Sequence, residues 1–97
     1  MEIRLAHNHY DENHLAEVVA EMRIAGTPTI KVTVVDDDTY QAIEGCHRLR
    51  ACEILGVVPE IMVIDDSVSI EDAEIDYDGC ATRVGDIGDP GNYSIEF

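Results

Sequence analysis

Ile3 and Leu5 alternate with polar neighbours at the start of the chain, the period-two pattern of a short strand with one buried face. Ala6 to Tyr10 is polar and irregular. Leu15, Val18, Val19 and Met22 then recur at the i, i+3, i+4, i+7 spacing of a helix with one apolar stripe, and Ala25 extends it. Asp11 stands where that helix needs an N-cap, and Gly26 stands where it should stop. After the break at Thr27-Pro28, Ile30, Val32 and Val34 alternate with Lys31, Thr33 and Val35 along a second strand, which Asp36-Asp37-Asp38 turns. Tyr40 to Glu44 is the returning strand, and it leads straight into Gly45.

A second helix is predicted from Arg48 to Leu55, with Leu49, Ala51, Cys52 and Leu55 on its inner side and Gly56 ending it. Pro59 precedes a strand over Glu60 to Ile64, closed by Asp65-Asp66. Ser67 or Ser69 is placed to cap a short helical turn through Glu74. From Asp76 onward Gly79, Gly85, Gly88, Pro90 and Gly91 mark loops, and the alternation of Tyr93, Ile95 and Phe97 predicts a terminal edge strand. These elements make a single α+β domain over residues 1–97, with a mixed sheet, two main helices and a loop-rich tail over 67–97.

Composition narrows the class. Ninety-seven residues sustain one small core, and 45% hydrophobic with 28% charged residues is globular composition. Six Lys and Arg against 21 acidic residues give a net charge of −15, so binding to nucleic acid over a broad face is not expected. The acidity fits solubility, a basic protein partner or life in high salt alike. Cys46, Cys52 and Cys80 are odd in number and lack CxxC spacing, which suggests reduced thiols in the cytoplasm rather than a disulfide framework or a zinc site. Neither a signal peptide nor a membrane span is apparent.

The candidate chemistry lies at Gly45-Cys46-His47-Arg48. Acidic residues are the usual company of a helix N-terminus, where unpaired N–H groups and the helix dipole concentrate positive charge. Here His47, Arg48 and Arg50 are gathered instead, in a chain with few cations to place. A bound anion removes the conflict, and a glycine between strand and helix lets its backbone approach a phosphate closely. A second constellation, His7-x-His9 with Asp11 and His14, has spacing compatible with a divalent ion but is better read as a polar loop leading into the Asp11 cap. Asp36 to Asp38 is a solvated turn, and Asp86 to Gly91 lacks calcium-loop spacing.

The run Ile43-Glu44-Gly45-Cys46-His47-Arg48-Leu49-Arg50-Ala51-Cys52-Glu53-Ile54-Leu55-Gly56 resembles the signature of the ParB and sulfiredoxin superfamily. The preceding helix, the Gly26-Thr27-Pro28 step, the strand pair and the strand after Gly56 follow in the matching order, over roughly residues 1–66. This resemblance implies nucleotide binding, with a Gly-x-x-Arg turn holding the phosphates. Partition proteins of the ParB type use CTP, sulfiredoxins use ATP, and free serine kinases of this fold transfer a phosphoryl group. Carried over by position, Gly45, Cys46, His47 and Arg48 form the phosphate-binding turn, with ATP or CTP as ligand and Mg²⁺ as its companion. Glu44, Asp11 and Glu12 are the carboxylates in line to hold the ion or activate an acceptor.

Gly-Cys-His-Arg is the form that sulfiredoxins carry, where the cysteine attacks a phosphorylated sulfinic acid. Cys46, at a helix start beside cations, is thus a candidate nucleophile, although Ile43-Glu44 departs from the sulfiredoxin pattern before the turn. Three readings stay open: a phosphate-transferring or hydrolysing enzyme, a sulfinic acid reductase, and a non-catalytic nucleotide sensor acting on a protein partner. Partition proteins continue into a helical DNA-binding domain, whereas this sequence ends at Phe97, so direct contact with centromeric DNA is not expected.

Overall fold

The computed structural model describes residues 1–75, 77, 79–87 and 93–97. The carboxylate of Asp11 accepts the backbone N–H of His14 at 2.8 Å and so caps a first helix, α1, over Glu12–Ala25. Gly26 closes that helix, donating its N–H to the Met22 carbonyl. Both ends fall where the sequence placed them.

Five strands form one sheet: β1 (Glu2–Arg4), β2 (Thr29–Asp36), β3 (Thr39–Ala42), β4 (Glu60–Val63) and β5 (Ser94–Glu96). Their order is β4-β2-β3-β1-β5, so β1 lies between β3 and β5 although it comes first in the chain. The β2–β4 and β1–β3 pairs are parallel; β2–β3 and β1–β5 are antiparallel, which makes the sheet mixed. The β2–β3 register slips at Val35, just before the acidic turn. The expected terminal edge strand is β5, whose Ile95 pairs with Ile3 and is buried beside it.

One face of the sheet carries the main core. Ile3, Ile30, Val32, Ala42 and Ile95 are buried there against Cys46 and Leu49 of a second helix, α2 (Cys46–Leu55). This helix starts two residues ahead of the predicted Arg48, because Gly45 supplies the turn and no capping side chain has to be accommodated. Its other buried residues, Ala51 and Cys52, meet Met22 of α1, and α1 thereby rests on α2. Cys52 is buried, as expected, with its Sγ 3.8 Å from the Met22 Sδ, and burial pushes its thiol pKa up.

The opposite face is covered by the tail. Ile70, Ala73, Ile75 and Val84 are buried together with Ile43, a second core that irregular spacing hid from the sequence pattern. Ser69 heads the anticipated helical turn: its Oγ accepts the Asp72 N–H and its carbonyl the Ala73 N–H, both at 3.0 Å. An isolated bridge joins Ser69 to Arg83, and Val84–Asp86 make one 3₁₀ turn. Lys31, on this face of β2, donates its Nζ to the carbonyls of Ala73 (2.8 Å) and Glu74 (3.1 Å). The tail is therefore packed rather than merely looped where it is described; the loops predicted at Gly88 to Gly91 lie outside the described residues.

Val84 is 2% exposed within this second core. Val84→Ala should destabilise the domain by about 2 kcal/mol, from two lost methyl groups and the space they leave. The midpoint of urea unfolding checks this, and an unchanged midpoint would mean the tail contributes no core.

Candidate functional site

Between β3 and α2 the chain reverses through Gly45, which has φ +81° and ψ 29°, in the left-handed region. A side chain there would be strained, and its Cβ would stand 3.0 Å from Ile30 Cδ1. The glycine thus lets the strand settle onto β2 and point straight into a helix start. α2 has no side-chain cap among the described residues and no acidic residue in its first turn. The N–H groups of Cys46, His47 and Arg48 lack partners within the helix by its geometry.

This bare helix start lines a cavity of about 760 Å³. Gly45, Cys46, His47 and Arg48 all line it, as does Glu44. The opposite wall is the face of α1 that bears His14, Val18, Glu21 and Met22, with Pro28 below and Tyr77 of the tail at the side. The helix stripe first recognised as core packing is thus shared between α2 and the cavity. Glu21 and Tyr77 escaped the sequence reading, since nothing local distinguishes one carboxylate among 21 or a tyrosine in a loop-rich tail.

The three basic residues near the turn have separate surroundings. Arg48 remains at the cavity, donating Nη1 to the Thr29 carbonyl at 3.4 Å, with Nη2 at 3.7 Å from Glu44 Oε1. That carboxylate oxygen also lies 3.9 Å from Lys31 Nζ, so Glu44 sits between two cations. His47 accepts the backbone N–H of Asp11 on Nε2 at 3.0 Å. An N–H can only donate, so this nitrogen carries no proton and the imidazole is neutral. Burial, then the neighbouring His14 and His7, hold its pKa below the ordinary histidine value, against an opposing pull from Asp11. The His14 ring meets it edge-on at 4.5 Å between centroids.

Arg50 is occupied elsewhere. Its guanidinium is stacked between the rings of Tyr10 and Tyr93, 4.3 and 4.4 Å from their centroids, and Nη2 donates to the Asn8 carbonyl at 3.2 Å. Tyr93 in turn donates its hydroxyl to Glu53 at 3.1 Å. The sequence grouped His47, Arg48 and Arg50 as one basic cluster; the structure leaves Arg48 as the cation of the three that both faces the cavity and is charged at neutral pH.

Cys46 is 4% exposed, and its Sγ donates to the His7 carbonyl at 3.6 Å. His7 and His9 have ring centroids 6.2 Å apart, while His14 is drawn to His47 instead. Among the described residues no three His, Cys, Asp or Glu side chains come together to hold a metal ion. Asp11 serves as the helix cap. No helix among the described residues is long and apolar enough to cross a membrane.

The family model described as the ParB N-terminal domain matches residues 3–76. The chain belongs to the ParB N-terminal domain family. Neither a curated protein nor a solved structure gives a match. The ParB N-terminal match spans β1 to β4, both helices and the turn at Gly45, and runs ten residues past Asp66, where the resemblance read from the sequence stopped. It takes in Ile70, Ala73 and Ile75, so the first part of the second core is part of the family's domain. Membership in the ParB family lends no support to the expectation that DNA is not contacted directly.

A lowered His47 pKa makes stability depend on pH in a defined sense. Above about pH 6.5 the residue is neutral in both folded and unfolded chains; as pH falls below it, the unfolded chain takes up the proton first and stability drops, until the lower folded-state pKa is passed. Between about pH 7 and 5 the urea midpoint should therefore fall. His47→Gln, which keeps an acceptor for the Asp11 N–H but does not titrate, should flatten that part of the profile. An identical slope in the variant would remove His47 as its source.

Proposed function

We propose that this domain binds a nucleotide, ATP or CTP, with its phosphates at the N-terminus of α2. The observation that carries the reading is the uncapped start of α2, free of acidic residues in its first turn, in the wall of a cavity of about 760 Å³ beside Arg48. Three unpaired backbone N–H groups and the positive end of the helix dipole are suited to phosphate oxygens, and a guanidinium adds charge-assisted hydrogen bonds. The apolar wall of Val18, Met22 and Ile43, with the Tyr77 ring, suits a base or sugar more than a bare inorganic ion. Membership in the ParB N-terminal family points the same way.

Mg²⁺ fits the donor set as a companion of the phosphates rather than as a resident metal. Glu44 and Glu21 are the cavity carboxylates able to take the ion or its waters, and the ion would offset their repulsion of the ligand. With phosphate bound, Arg48 has a stronger acceptor than the Thr29 carbonyl and the 3.7 Å contact to Glu44.

Binding is the function for which the geometry speaks; turnover is not required by it. A sulfiredoxin-type reduction needs the Cys46 sulfur free to attack, whereas here it is buried and directed to the His7 carbonyl. The domain then acts as a nucleotide-responsive module for a protein partner, in the cytoplasm, where the three free cysteines stay reduced.

Calorimetric titration with CTP, ATP and pyrophosphate, with and without Mg²⁺, tests the reading. Arg48→Ala should weaken nucleotide binding by about 1.5–3 kcal/mol, roughly 10- to 150-fold. Cys46→Ser should leave affinity nearly unchanged. Absence of binding by the wild-type protein to all three ligands would overturn the assignment.

A further inference from the structure

β4 is an outer strand of the sheet: it pairs with β2, and among the described residues no strand pairs with its other side. In a parallel ladder alternate residues turn both of their backbone groups to the same neighbour. Glu60 donates its N–H to the Pro28 carbonyl at 3.0 Å and Ile64 donates to that of Val32 at 2.8 Å, so Glu60, Met62 and Ile64 serve β2. Ile61 and Val63 therefore present their N–H and C=O groups outward. Met62 is 47% and Val63 52% exposed, so this edge is open to solvent. Sheet edges are normally blunted by a bulge, a proline, a lysine or a covering element. Glu60–Val63 holds no proline or lysine, and its register with β2 is unbroken. The opposite edge, β5, is shorter and sets Ser94 and Glu96 on either side of Ile95.

The surroundings of the β4 edge are acidic. Glu60 opens the strand, Asp65 and Asp66 follow it, and all three are exposed. None of them forms an ion pair among the described residues. Hydrogen bonds from the Ser67 hydroxyl and N–H hold the Asp65 pKa below the usual carboxylate range, so this end stays anionic. Lys31, the cation on the adjoining strand, is held by the carbonyls of Ala73 and Glu74 and lies beside Glu44. Val34 stands two residues beyond Val32, the partner of Val63, so two exposed valines share one sheet face.

An apolar edge with carboxylates at both ends selects its occupant. A second copy of this chain would bring Glu60 and Asp65 against their own kind, and a net charge of −15 extends the repulsion. An extended segment with an apolar middle and Lys or Arg at each end meets every feature. We propose that the β4 edge takes up such a cationic, apolar-centred segment of another protein as an added strand. Its backbone pairs with Ile61 and Val63, and its basic ends lie at Glu60 and at Asp65 and Asp66. None of these residues lines the cavity at α2, so the surface is separate from the nucleotide site. The strand has four residues, about 13 Å, so the paired stretch is short and charge steers its approach.

Fluorescence anisotropy tests this with a labelled synthetic peptide of about ten residues, alternating valine and threonine between pairs of lysines. It should bind, and more weakly as salt is raised. A counterpart ending in glutamate pairs should not bind. N-methylation of every central backbone nitrogen of the lysine peptide, which removes its ladder donors at unchanged charge, should weaken binding about tenfold or more. In the protein, Val63→Pro deletes an outward N–H without touching the ladder to β2, and should weaken binding to a similar degree. Glu60→Gln combined with Asp66→Asn should weaken it about threefold or more. Circular dichroism verifies the fold of each variant, and the N-methylated peptide and the charge variant decide the matter should the proline variant not fold. No binding by the lysine peptide, equal binding of the glutamate or N-methylated peptide, or binding indifferent to the substitutions would each overturn the proposal. So would a wild-type self-association that Val63→Pro abolishes, which would give the edge to a second copy.

Discussion

Gly45 is left-handed at a point where the chain lies directly against the Ile30 side chain. Any other residue would meet two penalties there, an unfavourable backbone conformation and a Cβ pressed toward the Ile30 side chain. With glycine, β3 hands the chain to α2 through the short step Ile43 to Gly45. Cys46 and Leu49 then drop into the main core within one helical turn. The same closeness leaves α2 with no residue to cap it, so its N–H groups open into the cavity rather than onto a side chain. The ordering of the core and the availability of an anion site thus share one cause.

Cations are scarce in this protein, and their positions show what the fold needs held. Lys31 reaches from β2 to the carbonyls of Ala73 and Glu74, fastening the tail to the sheet. Arg50, clasped by Tyr10 and Tyr93, joins the loop before α1 and the approach to β5 to the middle of α2. Its Nε is buried without a partner among the described residues, a cost consistent with aromatic stacking being the main attraction there. His47 performs a similar tie without charge, fixing the head of α1 to the head of α2 through the Asp11 N–H. Arg48 is left for the cavity.

Around Ile30 to Thr33 the sheet is covered on both faces, so the apolar and the polar positions of β2 alike have partners. Ile30 and Val32 face α2, whereas Lys31 and Thr33 face the tail, and Thr33 is buried despite its hydroxyl. Tail residues that cover this second face come from turns, so they carry no period-two or period-3.6 signature. At the far end of β2 the tail gives no such cover, and Val34 and Val35 remain exposed.

Local rules were enough for what neighbours along the chain determine. The Asp11 cap, the Gly26 stop, the alternation along β2, the edge strand around Ile95 and the glycine turn before a helix all depend on residues a few positions apart, and each was legible. Family membership followed from the same short run. Tertiary structure alone decided the rest: that β1 inserts between β3 and β5, that the tail builds a second core, and that α1 lends one face to the cavity. It also separated three basic residues that looked like one cluster. Their partners lie as far along the chain as Tyr93 does from Arg50, and charge or hydrogen-bonding state is set by whatever space brings near, which spacing along the chain does not encode.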